Sequence, residues 1–400
     1  MDIQSSLADR VKGIKASAIR EIFKMVGSSD IISFAGGIPS PQLFPAKEWA
    51  EISAEILKNN GKSALVYGVT EGYAPLREFV KNSLSEKGIG KDFDSVVITT
   101  GAQQAIDLAA KSLVNSGEGI IVEEPSFIGS LNGFRAHGAK LCGVEMDDDG
   151  INTDKVEDIL KKEKIKLIYT IPTFQNPTGI TQSLEKRRKL LELAEKYDCY
   201  IIEDNPYGDL RFAGEDVRTI KSMDENGRVI YVGSFSKTLS PGLRVGFVCA
   251  HGDIMDRLVV CKQVNDVHTP LLNQMLVYEY IKRYDFNAHI EEGCRLYGEK
   301  CALMISCMDK YFPKCVSYTH PDGGIFLWCT MPEGADSKVL FEKAIASKVA
   351  FVPGSTCMTD IEAPSNCFRL NYSTADNDDI EKGIKILGGL LCDMFGGQNL

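Results

Sequence analysis

The sequence predicts an α/β protein: a mostly parallel central sheet in a large domain, followed by a second, smaller α/β domain. Two observations carry this prediction. The middle of the chain alternates short β-rich runs with longer helical patterns, the spacing of βαβ units. Beyond a long helical pattern over residues 289–310 the rhythm changes, with strands around 325–330 and 368–372 and helices between them. A length of 400 residues supports a sizeable core and a soft count of two or three domains.

In chain order, strands are expected over 96–100, 119–123, 167–171, 200–203, 229–233 and 244–250. Helices are expected at 102–113 and 184–197, and residues 16–25 read as a short amphipathic helix outside the main sheet. Hydrophobic residues at 44% and charged residues at 25% are ordinary for a globular protein, which excludes disordered and fibrous classes. Lys plus Arg is 45 and Asp plus Glu is 55, so the net charge is 45 − 55 = −10. That balance argues against a nucleic-acid partner, which calls for a basic stripe. No run approaches the roughly 18 apolar residues of a membrane span, and the first residues lack the apolar segment of a signal peptide. The 12 cysteines include no C-x-x-C pair and several sit in apolar runs, while the 5 histidines are not grouped as ligands. They read as buried packing thiols in a reducing cytoplasm, with no metal site.

The chemistry concentrates in a few segments. Gly233-Ser234-Phe235-Ser236-Lys237 directly follows a buried strand. Lys237 admits three readings: a structural lysine, the lysine of a Ser-x-x-Lys acyl enzyme, or a Schiff-base lysine with Ser234 and Ser236 bonding a phosphate. The acyl-enzyme reading lacks its Ser-Asp-Asn and Lys-Thr-Gly elements. Arg244, seven residues on, has the two-pronged geometry to pair a phosphate. The apolar run 200–202 ends in Glu203 and Asp204, which puts a carboxylate at the carboxyl edge of the sheet, where open α/β folds bind ligands. Such a carboxylate can hold a pyridine nitrogen protonated, although Asp204 also fits a turn before Pro206. Asn176-Pro177-Thr178-Gly179 is by itself a turn signal. At Thr100-Gly101-Ala102-Gln103 a strand gives way to a helix whose first N–H groups attract phosphate. Phe127, closing another strand, suits either the core or stacking on a flat ring.

In this order the segments resemble the fold-type-I pyridoxal-phosphate (PLP) enzymes, specifically the class I/II aminotransferases, and within them the kynurenine/2-aminoadipate aminotransferase branch. Ser-Phe-Ser-Lys followed by Gly-Leu-Arg-Val-Gly, with Asn-Pro-Thr-Gly upstream and Asp204 between, carries the resemblance, which extends from Ala16 to Leu370. It implies a PLP-dependent transaminase moving an amino group between an L-amino acid and a 2-oxo acid, 2-oxoglutarate foremost. Lys237 would carry the cofactor and then move the proton, Asp204 would pair the pyridine nitrogen, and Asn176 and Tyr207 would bond the ring hydroxyl. Phe127 would stack on the ring, where relatives often have tyrosine. Ala102, Gln103, Ser234, Ser236 and Arg244 would surround the phosphate. Arg369 would clamp the substrate carboxylate, with Gly37 close to the substrate. Tyr67 would reach the phosphate of a neighbouring subunit, which implies a homodimer with shared sites. His268 reads as structural. Arg20 is expected either to fold over the site and meet a distal carboxylate or to be a solvated helix residue.

The resemblance also implies an N-terminal segment (1–45) packing with the small domain and the site, a large PLP-binding domain (46–285) and a small C-terminal domain (286–400). Lyases and decarboxylases share the scaffold, so the fold alone does not fix the reaction. A PLP-binding transcription regulator is disfavoured, because the pattern begins near Ala16 and the charge is negative. Acidic, aromatic and branched-chain donors all stay open at this stage.

Overall fold

A computed structural model describes residues 6–12 and 31–396. The expected helix at 16–25, and Arg20 within it, lie outside the described residues. After a short strand β1 (Ile32–Ser33), the central sheet is built from β2 (Asp94–Thr99), β3 (Gly119–Glu124), β4 (Lys140–Asp147), β5 (Gly150–Ile151), β6 (Ile165–Thr170), β7 (Tyr200–Asp204), β8 (Val229–Ser234) and β9 (Gly246–His251). Their spatial order is β2-β9-β8-β7-β6-β3-β4-β5. β8, β7, β6, β3 and β4 run parallel, whereas β9 is antiparallel to both β8 and β2. The parallel strands are near-continuous apolar runs, as burial on both faces requires. Ile201, Ile202, Val229, Ile230 and Val232 are all fully buried.

The expected strand at 244–250 starts two residues late. Arg244 adopts φ 55° and ψ 47°, a left-handed conformation that no strand residue can hold. The chain thereby turns back, and Ser234 comes to lie opposite Gly246. Strand β4 was not anticipated. It lies toward one edge of the sheet, and its mixed exposure gives no clean alternation. The helices Ala46–Ala64 and Ala74–Glu86 were likewise not anticipated. Their buried Ile52, Ile56, Leu76 and Val80 pack with Met275 and Val277 of the helix Leu271–Arg283.

The long helix spans Phe286–Tyr311. After it, β10 (Ser317–Tyr318), β11 (Phe326–Thr330), β13 (Val352–Pro353) and β14 (Cys367–Asn371) form an antiparallel sheet in the order β10-β11-β14-β13. The segment following β1 is tied to this half of the chain. β1 pairs in parallel with β12 (Val349–Ala350), and Asn371 N–H donates to Phe34 O at 2.8 Å. The cysteines are free thiols, several of them buried. Among the described residues no helix is long and apolar enough to cross a membrane.

One buried ion cluster fastens the first strand of the sheet. Lys221 Nζ lies 2.8 Å from Asp94 Oδ1 at the start of β2 and 2.9 Å from Asp224 Oδ2 before β8, and all three side chains are at most 1% exposed. Breaking such a cluster by removing one partner leaves uncompensated buried charge, so Lys221→Met is expected to lose about 3–5 kcal/mol of stability. Urea denaturation measures this, and an unchanged midpoint would refute it.

Candidate active site

The chemistry-bearing segments leave from the carboxyl ends of neighbouring strands. β8 releases Lys237, β7 releases Asp204 and Tyr207, β6 releases Asn176, β3 releases Phe127, and β2 leads into the helix Ala102–Leu113. Strand order therefore brings together residues far apart in the chain.

Lys237 sits in the turn after β8, with Ser236 N–H donating to Ser234 Oγ at 3.1 Å. Its Nζ donates to Gly37 O at 2.6 Å and lies 5.9 Å from the centre of the Tyr207 ring. Burial pulls its pKa down to about 8, helped by the Arg369 and Arg244 charges and opposed by Asp204. That places a neutral amine within reach at neutral pH, the state a nucleophilic or proton-transferring lysine needs.

Asp204 ends β7, two residues after the apolar run 200–202. Its Oδ2 accepts from Tyr169 OH at 2.7 Å, and Ser130 Oγ lies 2.9 Å from that phenol oxygen. Its Oδ1 is buried and has no hydrogen-bond partner. Burial pushes the carboxyl up to about 7; the Tyr169 bond and Lys237 oppose the rise, and the Glu123 charge adds to it. A buried carboxylate oxygen left without a donor calls for a cationic N–H.

Arg369 is 2% exposed. Its Nη1 donates to Asn176 Oδ1 at 2.7 Å and its Nη2 to Ala35 O at 2.7 Å, while its Nε has no partner. Its guanidinium stacks 4.2 Å from the Phe326 ring, which meets Tyr207 edge-on at 5.7 Å. Asn176 Nδ2 donates to Tyr207 OH at 3.5 Å, a long bond that leaves the pair adaptable.

The turn from β2 into its helix forms a cradle. Gly101 has φ +75°, and a Cβ there would come 2.5 Å from Arg244 Nη2. A Cβ on Gly246 would meet Ala102 N at 2.8 Å. Only glycine permits this approach of backbone to guanidinium. Among the described residues Arg244 makes two long bonds, to Pro241 O at 3.3 Å and Thr100 O at 3.4 Å, beside the cradle. Gln103 turns its side-chain amide away, donating to Gly129 O at 3.1 Å, and brings its backbone to the cradle instead. Phe127 caps the helix Ile128–Ala136 and packs its ring beside Gly129.

Tyr67 contacts none of these groups. Its ring is 85% exposed and stands edge-on to His268 at 5.9 Å. His268 accepts from Gly68 N–H at 3.2 Å and bonds Thr269 O through Nδ1 at 2.8 Å, a structural role. Sequence reasoning missed Tyr169, Glu123 and Phe326. Tyr169 is fully buried in β6 and reads as core, and only its contact with Asp204 reveals it. Glu123 is 1% exposed and bonds Thr170 and Gln175 below the site; burial raises its carboxyl to about 6. A fully buried acid in an apolar strand was the available signal.

The buried carboxylate oxygen without a donor, the weakly basic lysine and the anion cradle together fit pyridoxal phosphate: a cationic ring nitrogen, a carbonyl and a phosphate. Fold and site thus define a PLP-dependent transferase of the α/β type with a mostly parallel sheet. The family model for aminotransferases of class I and II matches residues 29–387, and the chain belongs to that family. It is 39% identical to an aromatic-amino-acid aminotransferase of Thermococcus litoralis, over 97% of this chain and 94% of that one. It is 42% identical to a 2-aminoadipate transaminase of Thermus thermophilus, over 94% of each chain. Among solved structures, the α-aminoadipate aminotransferase of Thermus thermophilus, complexed with N-(5′-phosphopyridoxyl)-L-leucine, superposes with a TM-score of 0.92 at 39% identity, covering 100% of both chains. The protein is a PLP-dependent aminotransferase, with amino acids and 2-oxo acids as its substrates.

Proposed function

We propose that this aminotransferase works by a ping-pong cycle with 2-oxoglutarate as acceptor, using Lys237, Asp204 and Tyr207 as its central groups. The carrying observation is the convergence of Lys237 Nζ, the donor-free Asp204 Oδ1 and the Arg369 guanidinium at one sheet edge. Pyridoxal phosphate supplies a carbonyl carbon that takes up the amino group and an electron-withdrawing ring that stabilises charge on the adjacent carbon. Lys237 would anchor the cofactor through its amine, and the same Nζ, once freed, would be the base that takes the proton from the substrate α-carbon and gives it back. Asp204 Oδ1 would accept the ring N–H, with the Tyr169 hydroxyl fixing the carboxylate through Oδ2. Asn176 and Tyr207 would bond the ring hydroxyl and Phe127 would cover the ring. Ala102 and Gln103 N–H, Ser234, Ser236 and Arg244 would hold the phosphate.

Arg369 binds the substrate carboxylate. Its present partners, Asn176 Oδ1 and Ala35 O, mark where carboxylate oxygens are received, and Gly37 leaves room beside them. Arg369→Lys keeps the charge and loses the two-pronged geometry. Loss of one charge-assisted bond raises KM about 10- to 100-fold with little change in cofactor binding. A KM within twofold of wild type would refute the assignment.

Tyr67, Leu65, Val66, Val69 and Val264 are all more than half exposed. So apolar a patch supports a homodimer in which Tyr67 reaches the phosphate of the second subunit. The free thiols support a reducing, cytoplasmic setting. The test is a half-reaction: single amino acids added to the yellow holoenzyme bleach the cofactor band, and 2-oxoglutarate restores it. Restoration by pyruvate alone would refute the acceptor, and steady release of pyruvate and ammonia from one substrate would indicate a lyase. Run on Arg20→Ala, a donor panel reads selectivity; an unchanged preference for glutamate and 2-aminoadipate removes Arg20 as the selector.

A further inference from the structure

We infer that Asp266 and Gln104, gathered around the buried Lys262, form a positioning network whose task is to hold the phosphate cradle, so that cofactor affinity depends on side chains that never touch the cofactor. The inference rests on the phosphate lying at Gly101–Gln103 and Arg244. Lys262, on the helix Gly252–Asn265, is 0% exposed. Its ammonium shares three N–H donors among Gln104 Oε1 at 2.6 Å, Asp266 Oδ1 at 2.9 Å and Thr269 Oγ1 at 3.1 Å. A lysine this deeply placed needs every donor used, and here the acceptors converge on one residue, Thr100.

Thr100 is the last residue before Gly101, and each of its polar groups is taken. Its N–H donates to Gln104 Oε1 at 2.8 Å, its hydroxyl donates to Asp266 Oδ2 at 2.7 Å, and its carbonyl accepts from Arg244 Nη2 at 3.4 Å. Gln104 Nε2 closes the ring by donating to Asp266 Oδ2 at 2.7 Å. The network therefore sets both the direction in which the chain enters the positive-φ turn at Gly101 and the seat of Arg244. A second arm runs the other way. Gln274 Nε2 donates to Thr269 O at 2.7 Å and its Oε1 accepts from Tyr73 N–H at 2.7 Å, while His268 receives Gly68 N–H. The segment carrying Tyr67 is thus braced by the same cluster.

A merely structural cluster would affect stability and leave ligand discrimination alone. A cradle-positioning cluster affects recognition of the phosphate itself. The experiment resolves the holoenzyme, reconstitutes it with pyridoxal phosphate or with pyridoxal, which lacks the phosphate, and measures both dissociation constants by absorbance together with the melting temperature. Lys262→Met and Thr100→Val are each expected to weaken pyridoxal phosphate binding about tenfold, the worth of a hydrogen bond to a charged group, with pyridoxal binding within about twofold. The double variant is expected to be no weaker than the stronger single loss, because both act through one network. Equal losses for the two ligands, or no loss, overturn the inference. Should Lys262→Met not fold, Thr100→Val decides alone, since it keeps the Lys262–Asp266 pair. Arg244→Ala serves as the control: if it leaves pyridoxal phosphate affinity unchanged, the phosphate placement fails and the inference falls with it, whereas loss in Arg244→Ala without loss in Thr100→Val sinks the network alone.

Discussion

Lys237→Ala is expected to fold, to keep part of its cofactor affinity and to lose transamination. The cradle at Gly101–Gln103 and the Arg244 guanidinium are untouched by the substitution, so the phosphate contacts stay. What disappears is the amine proposed both to anchor the cofactor and to move the proton. Removal of a positioned general base alone accounts for a fall of about 10²–10⁴ in kcat. The loss of the covalent anchor also shifts the visible band of the bound cofactor. Two measurements check this: single-turnover kinetics with an amino acid, and the absorbance spectrum of the purified variant. Turnover near that of wild type would remove Lys237 from the mechanism. The lowered pKa adds a pH signature. Because burial and the neighbouring Arg369 and Arg244 charges bring Lys237 to about 8, its amine in the cofactor-free protein titrates well below an ordinary lysine. An amine-directed acylating reagent should therefore modify Lys237 ahead of exposed lysines at pH 8.

Asp204→Asn is expected to separate stability from activity. The amide cannot carry the negative charge that keeps a ring N–H⁺ in place, so stabilisation of the carbanionic transition state is lost; removing one preorganised electrostatic group typically costs about 10²–10³ in kcat. Stability moves the other way. The folded-state pKa of Asp204 is raised to about 7, above its ordinary value near 3.8. The unfolded chain therefore gives up this proton at lower pH than the folded one. The carboxyl contributes no penalty below about pH 4, a growing penalty from there to about pH 7, and a constant one above. Cofactor-free Asp204→Asn should accordingly melt above wild type at pH 8 and close to it at pH 4. An identical difference at both pH values would refute the buried-charge account. On the proposed placement, bound cofactor would supply a donor to Asp204 Oδ1, so in the holoenzyme the advantage of asparagine should vanish.

Much of this site was legible because its residues are local signals. Asp204 and Lys237 each lie a few residues beyond a short apolar run, Asp204 after Glu203 and Lys237 after Gly233-Ser234-Phe235-Ser236. Such runs in a βαβ pattern end at the ligand-binding edge of the sheet. Arg244 was found by its spacing from Lys237. Its left-handed conformation was not, since the expected strand began at Arg244, whereas β9 begins at Gly246 and pairs antiparallel with β8. Tyr169, Glu123 and Phe326 were missed for a common reason. Each lies within a strand or at the end of one, where an aromatic or acid is ambiguous until its neighbour across the fold is known. Tyr169 stands out only through its 2.7 Å bond to Asp204, 35 residues away, and Phe326 only through the Arg369 guanidinium stacked on it. Lys262 is the extreme case, a lysine on a helix that is 0% exposed.

The sequence by itself determined the layered α/β architecture and the family, and it pointed to the lysine, carboxylate and arginine proposed for the site. Hydrophobic periodicity and strand-end motifs depend on neighbours in the chain, so they survive without a structure. Only the tertiary structure decided how the groups are tuned: which oxygen of Asp204 lacks a donor, what pulls Lys237 toward neutrality, and what fixes the turn at Gly101. Desolvation and hydrogen bonding are properties of what surrounds a group in space, and those surroundings come from segments up to 334 residues apart, as in the bond from Arg369 to Ala35.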